Sequence, residues 1–368
     1  MQFTNETPFE SFFTVSYGKD GRERVVVVTK ATYHLPGDLP PAQVANILEL
    51  AAEQEPLIEA DEFEGAAGLS APLKESDFAH FKPRCDVLFC GNAYAYGSTA
   101  ANVGLRIGQL SKSFLVFGPR HWQQNGLGGV KPSAPIAFAR TRISYGAAYG
   151  GSDVVAGPPE RIETYRPNPT GIGYFPLRSS VDGLPMPSTM RHDEPISSPK
   201  GRYAPVGFGP IGRNWSPRSA LTGTYNHEWT DKRAPYFPDD FSYDYFQAAP
   251  SDQQIPYPRG GEEVLLVNLS AAARVSFVLP ALDVPVLFVP HEGKLMRQRS
   301  NVDTILIEPE REVVTLTARA IYETRRSAFD VRETIVGGSV RSWVKERAAQ
   351  VRKPYYSDLG AMVRARRR

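Results

Sequence analysis

The chain has 368 residues, of which 41% are hydrophobic and 22% are charged, so it can bury a sizeable core in one large or two medium domains. Its formal net charge of +2 provides no overall field that would attract nucleic acid or an anionic membrane. No apolar run approaches the length of a membrane span, and the amino terminus lacks the pattern of a signal peptide. Only two cysteines occur, Cys85 and Cys90, which is typical of a reduced compartment and favours a cytoplasmic protein.

Short β-branched and aromatic runs, separated by Gly and Pro, recur along the chain. Residues 12–15 and 23–32 flank a turn with Gly at both ends, which predicts a hairpin. The 32 prolines argue against long helices, and the spacing of the runs is typical of sandwiches and barrels. We therefore expect an all-β, sandwich-type scaffold. Further strands are predicted at residues 85–96, 102–107, 112–117, 135–145, 263–269, 274–279, 284–289, 304–307 and 312–321.

Two stretches between these runs are less regular. Residues 41–55 fit either a helix or a strand, and their strand neighbours favour a strand. Residues 146–203 are rich in Gly and Pro, which predicts a second irregular region.

The order of strands, irregular chain and strands permits two domain organisations. Either two β domains flank a connector, or one sandwich takes strands from both halves. We favour a single domain over residues 1–325, with an irregular insertion at 146–262, because neither half alone shows clear protection of its sheet edges.

Residues 326–368 differ in composition from the rest of the chain. From residue 325 onward, twelve Lys and Arg face only four Asp and Glu. Residues 339–352 can form a helix with Trp343 on its apolar side. A solvated basic tail and an element that docks on a partner are both consistent with this pattern, whereas the tail has no groove or stacking platform for nucleic acid.

The segment 207–254 is the most informative part of the sequence. It has no helical or strand period, yet it is dense in Gly, Pro and aromatic residues. Flexible linkers and disordered segments lack aromatics, so this composition predicts an ordered functional loop with its rings buried. The rings that we expect to be mostly buried are Trp215, Tyr225, Trp229 and Phe241.

Catalytic and cofactor motifs in this segment are weak. Residues 207–212 match the dinucleotide pattern G-x-G-x-x-G, but Pro205, Pro210 and Pro217 oppose the strand and helix that such a site needs. The six histidines lack metal-ligand spacing, and the Asp residues of the segment lack the Ca²⁺-loop pattern. We therefore expect no cofactor and no metal. A hydrolase or carbohydrate-processing enzyme that uses Asp240, Asp252 and Glu228 is the alternative from another functional class.

The order of residues in this segment resembles a known family. The pattern GFGPI–x3–W–x–PR–x4–GTY–x3–W–x3–R–x–P–x2–P–x–DF–x4–F–x–AAP–x–DQ is similar to domain of unknown function family 2169. Similar matches occur in VVVTKATYHLP at 26–36, ADEFEG at 60–65, SDFAHFKPRCDVLFCGNAYA at 76–95, VFGPRHW at 116–122 and NPTGIGY at 168–174. The resemblance covers about residues 1–325, and the basic tail lies outside it.

This resemblance implies a role in type VI secretion. The family resembles adaptors encoded beside spike proteins, which implies a cytoplasmic adaptor or chaperone that loads a toxic effector, often linked to a PAAR tip domain, onto the VgrG spike. It implies no catalytic residue, and a structural component secreted with the spike remains an alternative. The candidate partner-binding or motif residues are Phe208, Trp215, Arg218, Tyr225, Trp229, Arg233, Asp240, Phe241, Phe246, Asp252, Gln253 and, in the tail, Trp343.

Overall fold

The computed structural model describes residues 1–36, 48–124 and 129–366, and within them the protein is mainly β. The first strands are β1 (Gln2–Asn5), β2 (Glu10–Tyr17), β3 (Glu23–His34), β4 (Glu62–Phe63), β5 (Pro72–Lys74), β6 (Cys85–Phe89), β7 (Gly91–Tyr94), β8 (Ala100–Ile107), β9 (Leu110–Phe117), β10 (Trp122–Gln124), β11 (Val130–Pro132) and β12 (Arg140–Ile143). The later strands are β13 (Tyr149–Gly150), β14 (Ser152–Val155), β15 (Arg161–Thr164), β16 (Ile172–Gly173), β17 (Thr189–Met190), β18 (Gln254–Ile255), β19 (Glu263–Val267), β20 (Arg274–Val278), β21 (Pro285–Pro290), β22 (Met296–Arg299), β23 (Asn301–Glu308), β24 (Val313–Glu323) and β25 (Val331–Val336). The helices are α1 (His227–Lys232), α2 (Val340–Gln350) and α3 (Leu359–Arg366), and 3₁₀ turns lie at Tyr145–Ala147, Arg218–Thr222, Tyr243–Phe246, Ser251–Gln253, Pro309–Arg311 and Ala328–Asp330.

The prediction of a mainly β chain is therefore confirmed, with differences in detail. The first hairpin is β2–β3, paired without interruption from Glu10 opposite Lys30 to Tyr17 opposite Glu23. The predicted strand at 135–145 is shorter, because residues 136 and 138 donate backbone hydrogen bonds to Pro119 and Ser98 instead of joining a ladder.

A six-stranded sheet, which we call the central sheet, has the order β18-β6-β23-β24-β3-β2. Strand β6 runs parallel to β23, and the remaining neighbours are antiparallel. A five-stranded sheet has the order β17-β9-β8-β19-β20. Both sheets thus combine strands from the two halves of the chain.

The largest apolar core lies between these two sheets. Alternate residues of β3, β6, β23 and β24 meet alternate residues of β8, β9, β19 and β20, as the period of two in a strand requires. Representative fully buried members are Ala31, Val87, Val103, Phe114 and Leu316.

The apolar face of the central sheet also packs against a four-stranded sheet of order β1-β25-β21-β22. Val25 and Val27 of β3 pack there against Val286 and Phe288 of β21. This face of the central sheet is therefore mostly apolar, and its other face is left to be covered by the loops that form the candidate site.

The structure describes part of the first of the two less regular stretches and all of the second. Residues 41–47 of the ambiguous segment 41–55 lie outside the described residues, and Leu50 forms an isolated bridge with Tyr33. The region 146–203, which we predicted to be irregular, contains the short strands β13 to β17, because it has a small apolar core of its own around Trp122 and Tyr149.

The carboxyl-terminal residues add one strand and two helices. Strand β25 starts at Val331 and pairs with β1 and β21, so residues directly after the predicted boundary at 325 belong to a sheet. Helix α2 lies inside the predicted helical stretch 339–352. Helix α3, with 8 residues, is a second helix longer than two turns, and the sequence analysis did not predict it.

Candidate functional site

The face of the central sheet opposite the apolar core carries buried polar side chains. They alternate with the core residues of the same strands, so Lys30 follows Thr29 and precedes Ala31 in β3, and Arg319 lies beside Ala318 in β24. Buried charges are costly unless they are paired, and each charge on this face has a partner. Buried members of this polar face include Lys30, Asp86, Glu308, Thr315, Thr317 and Arg319.

Asp86 of β6 connects the polar face to the end of the segment 207–254. Its carboxylate accepts hydrogen bonds from Gln247 Nε2 at 2.7 Å and from the backbone amides of Ala248 and Ala249 at 2.8 and 3.2 Å. Lys82 Nζ neutralises it at 2.8 Å. A fully buried carboxylate with four donors fixes the chain that supplies them.

Lys30 and Arg319 connect the polar face to the loop that precedes β6. Lys30 pairs with Asp77, whose other oxygen accepts from Thr317 at 3.2 Å. Arg319 donates to Asp303 and to the backbone oxygen of Asp77. Burial raises the pKa of Asp303 although Arg319 lies beside it.

A second buried pair fixes the middle of the segment. Arg218 is 1% exposed and binds the carboxylate of Glu75 through both terminal nitrogens. The same guanidinium donates to Ile211 O at 2.7 Å and to Tyr245 O at 2.8 Å. Four donated bonds from one planar group hold two distant parts of the segment against residue 75.

Gln253 links the segment to both large sheets. Its Nε2 donates to Val87 O of β6 at 2.8 Å and to Phe208 O at 2.9 Å. Its Oε1 accepts from Lys112 of β9 at 2.7 Å, and Lys112 also pairs with Asp252 at 3.0 Å. Burial lowers the pKa of Lys112.

Four of the predicted aromatic residues are buried anchors. Phe208 lies between Phe89 and Phe114, with ring centroids 5.8 and 4.6 Å away. Trp215 packs edge-on against Tyr145 at 5.6 Å, and Phe241 and Phe246 share a further small core. The prediction of buried rings is confirmed for Trp215 and Phe241.

The prediction is wrong for Tyr225, which is 53% exposed. Trp229 of the short helix α1 is mostly buried, as expected, although most residues around it at 223–240 are exposed. We call residues 223–240 the aromatic lobe. Tyr225 and Trp229 contact each other at 4.8 Å, and Trp229 Nε1 donates to Tyr236 O at 2.8 Å. The two rings thus order the lobe itself and leave apolar surface in water.

The base of the aromatic lobe is held by polar contacts. Arg233 donates to Lys19 O at 2.7 Å and pairs with Asp239 at 3.1 Å. Asp240 is exposed and accepts from the amide and hydroxyl of Thr224 at 2.9 and 2.7 Å. Hydrogen bonds from Thr224 lower the pKa of this carboxyl.

The carboxylates of the hydrolase alternative have three separate sets of partners. Asp240 binds Thr224, Asp252 pairs with Lys112, and Glu228 pairs with Lys232 at 2.9 Å on α1. Within residues 1–36, 48–124 and 129–366, no group of three or more His, Cys, Asp or Glu is arranged to hold a metal ion.

Two cavities border the polar face. One of about 360 Å³ is lined by charges of both signs, including the pair of Lys74 and Glu308 at 2.8 Å. The other, of about 300 Å³, is lined by Asp303, Arg319 and Tyr257, and burial raises the pKa of Tyr257 to about 12. Lys74 pairs with Glu308 in the first cavity and Arg319 with Asp303 in the second, which favours a structural role for this face.

Trp343 of α2 lies apart from the segment 207–254. It packs against Leu287, Val289 and Ile335 of the four-stranded sheet, and its Nε1 donates to Glu333 at 3.0 Å. The tail helix is therefore attached to the scaffold by its tryptophan, while Val340 and Val344 remain exposed.

Sequence reasoning missed the partners that anchor the segment. Asp77, Lys82 and Asp86 all lie in the quoted motif at 76–95, and a charge inside a strand such as Lys30 is an available signal. Lys112 at the start of the predicted strand 112–117 carries the same signal, whereas Glu75 lies outside the predicted strands and its partner Arg218 is 143 positions away.

The geometry defines a mainly β protein whose long irregular segment is fixed to the polar face of the central sheet. A family model described as "Uncharacterized protein conserved in bacteria (DUF2169)" matches residues 20–319. The chain therefore belongs to the DUF2169 family. No curated protein and no solved structure matches it. The described helices include none that is both long and apolar enough to cross a membrane.

Proposed function

We propose that this protein is a non-enzymatic, cytoplasmic adaptor that loads a toxic effector, often one linked to a PAAR domain, onto the VgrG spike of a type VI secretion system. In this proposal a β-sandwich scaffold carries the segment 207–254 and a basic carboxyl-terminal helix as partner-binding elements. The observation that carries it is the contrast between the buried anchors of the segment and the exposed aromatic lobe.

The anchored part of the segment supports the proposal through rigidity. Arg218 holds it to Glu75, whereas Gln253 and the donors to Asp86 hold it to β6 of the central sheet. A surface held in advance loses less conformational entropy when a partner binds. Arg218 and Asp252 of the segment are used in this anchoring, which suits a binding surface better than a reaction centre.

The aromatic lobe supports the proposal through composition. Tyr225, Trp229 and Tyr236 present partly exposed rings on a short, capped helix and its flanking chain. Tyr and Trp dominate the binding energy of protein interfaces. We therefore assign effector contact to residues 223–240.

The carboxyl-terminal helix supplies the second proposed contact. Trp343 fixes α2 to the scaffold, whereas the basic residues Arg341 and Lys345 are exposed. We propose that residues 339–368 dock on an acidic surface of the effector or spike. Exposed ion pairs are screened by salt, so capture through this contact weakens as ionic strength rises.

Co-purification with VgrG and PAAR-effector products of neighbouring genes tests the proposal. The double variant Tyr225→Ala/Trp229→Ala should reduce effector capture at least tenfold and leave the fold intact. Phe329→Ala is the matched control, because Phe329 is an exposed aromatic outside the lobe.

Failure of the wild-type protein to capture either partner would refute the adaptor role. Equal capture by the lobe variant and the wild type would remove the lobe from the interface. Recovery of the protein outside the cell together with the spike would instead favour the alternative of a secreted structural component.

A further inference from the structure

In the part of the chain that the structure describes, strand β2 is an edge strand of the central sheet. The sheet order ends at β2, and no described strand pairs with its outer side. It has 8 residues and pairs with β3 through eight consecutive positions without a bulge. Every second residue of such an edge directs an unpaired amide and carbonyl outward.

This edge lacks the features that usually prevent pairing with another chain. Natural edge strands are short, bulged, or interrupted by Lys or Pro. The sequence ESFFTVSY contains neither Lys nor Pro, and its single charge is Glu10 at the first position. Phe12, Val15 and Tyr17 are 51%, 40% and 43% exposed.

The edge strand of a second sheet meets β2 at one corner. Strand β1 is the terminal strand of the four-stranded sheet, and it carries Phe3. The ring of Phe3 lies 5.8 Å from that of Phe12 and 5.4 Å from that of Phe13. The edge of β2 is therefore continuous with an aromatic corner that can receive apolar side chains.

We propose that β2 binds an extended segment of a partner protein by β-strand addition. The outward backbone groups of β2 provide main-chain hydrogen bonds, and successive side chains of the segment contact Phe12, beside Phe3, on one face and Val15 on the other. The segment recognised is free of proline and rich in β-branched residues. The assignment of this segment to the effector rests on the proposed adaptor function, whereas the proposed strand pairing with β2 does not.

The interface area available at the edge of β2 favours a flexible segment as its partner over a second folded copy of this chain. Eight residues span about 26 Å, and a sheet layer is about 10 Å thick, so edge-to-edge pairing of two folded copies covers about 500 Å² in total. Stable interfaces between folded proteins bury about 1,200–2,000 Å². An extended segment is not limited to the edge, because it can continue over the aromatic corner.

Fluorescence anisotropy with a defined peptide tests strand addition without any secretion partner. The probe is a labelled peptide with the sequence of residues 23–30, ERVVVVTK, which pairs with β2 on its inner side. Phe12→Lys/Val15→Lys should weaken binding at least tenfold. Ile136→Lys, at a side chain that is 65% exposed on a loop, should bind as the wild type does.

A second peptide isolates the backbone contribution. Methylation of two adjacent amide nitrogens, one on each edge of the peptide, should abolish binding because it removes the main-chain donors. Equal binding of the methylated and unmethylated peptides, or equal binding by the wild type and the double Lys variant, would overturn the proposal. A concentration-dependent dimer of the wild type that the double Lys variant loses would assign the edge to a second copy and overturn it as well.

Discussion

Replacement of Trp215 by Ala tests whether the segment 207–254 is fixed to the scaffold as a unit. The ring is 2% exposed, packs against Tyr145, and lies so close to Gly212 that a Cβ there would be 2.4 Å from its Nε1. The site cannot collapse easily, because Ala71 and Ala148 on its other sides are also buried. Loss of a buried Trp side chain should cost about 3–5 kcal/mol.

The expected loss of unfolding free energy for Trp215→Ala can be converted into a change of melting temperature. Unfolding entropy of about 2.1 cal/mol/K per residue amounts to about 0.8 kcal/mol/K for a chain of this length that unfolds as one unit. Trp215→Ala should therefore lower Tm by about 4–6 °C in calorimetry. Trp229→Ala is the matched control, because its ring lies in the aromatic lobe and is less buried, and it should lower Tm by less than half as much. Equal shifts, or an unchanged Tm for Trp215→Ala, would refute the reasoning.

Three further predictions concern buried charge and the tail. Arg218→Met should destabilise the protein by about 3–5 kcal/mol in denaturant unfolding, because it leaves Glu75 charged and buried, and adding Glu75→Gln should recover part of the loss. Burial lowers the pKa of His80 below its ordinary value, so its contribution to stability is complete above pH 6.5 and declines as pH falls below it. His80→Phe keeps the ring contacts with Phe237 and Phe246 and should reduce the difference in Tm between pH 7.5 and 5.5, and an unchanged difference would contradict this. Deletion of residues 339–368 should preserve the β circular dichroism spectrum and reduce partner capture at low salt, and undiminished capture would exclude the tail from recognition.

The sequence allowed the mainly β fold to be predicted because strand signals are local. A run such as ERVVVVTKAT has the composition of a buried strand, and β3 forms there. The order of strands in the central sheet could not be predicted, because β24 and β3 pair across about 280 residues and no local signal selects that register.

Part of the candidate site could also be predicted, because the composition of the segment 207–254 is a local signal. An aromatic segment with Gly and Pro indicates ordered chain, and Trp215 and Phe241 are buried as expected. The exposed position of Tyr225 depends on where the segment leaves the sheet, which is set by distant partners such as Glu75 and Asp86. Composition cannot distinguish a ring that orders a projecting lobe from one that fills a core.

The position of β24 between β3 and β23 has a consequence for synthesis of the chain. Strand β3 is complete at His34, but its inner neighbour begins only at Val313. At about 5–20 residues per second, the ribosome needs about 14–56 s to make the intervening chain. During that interval β3 exposes Val25 to Val28 and an unpaired edge, both of which promote aggregation. Nascent chains should therefore require a holding chaperone until residue 323 has emerged, and any truncation before that residue should yield insoluble protein.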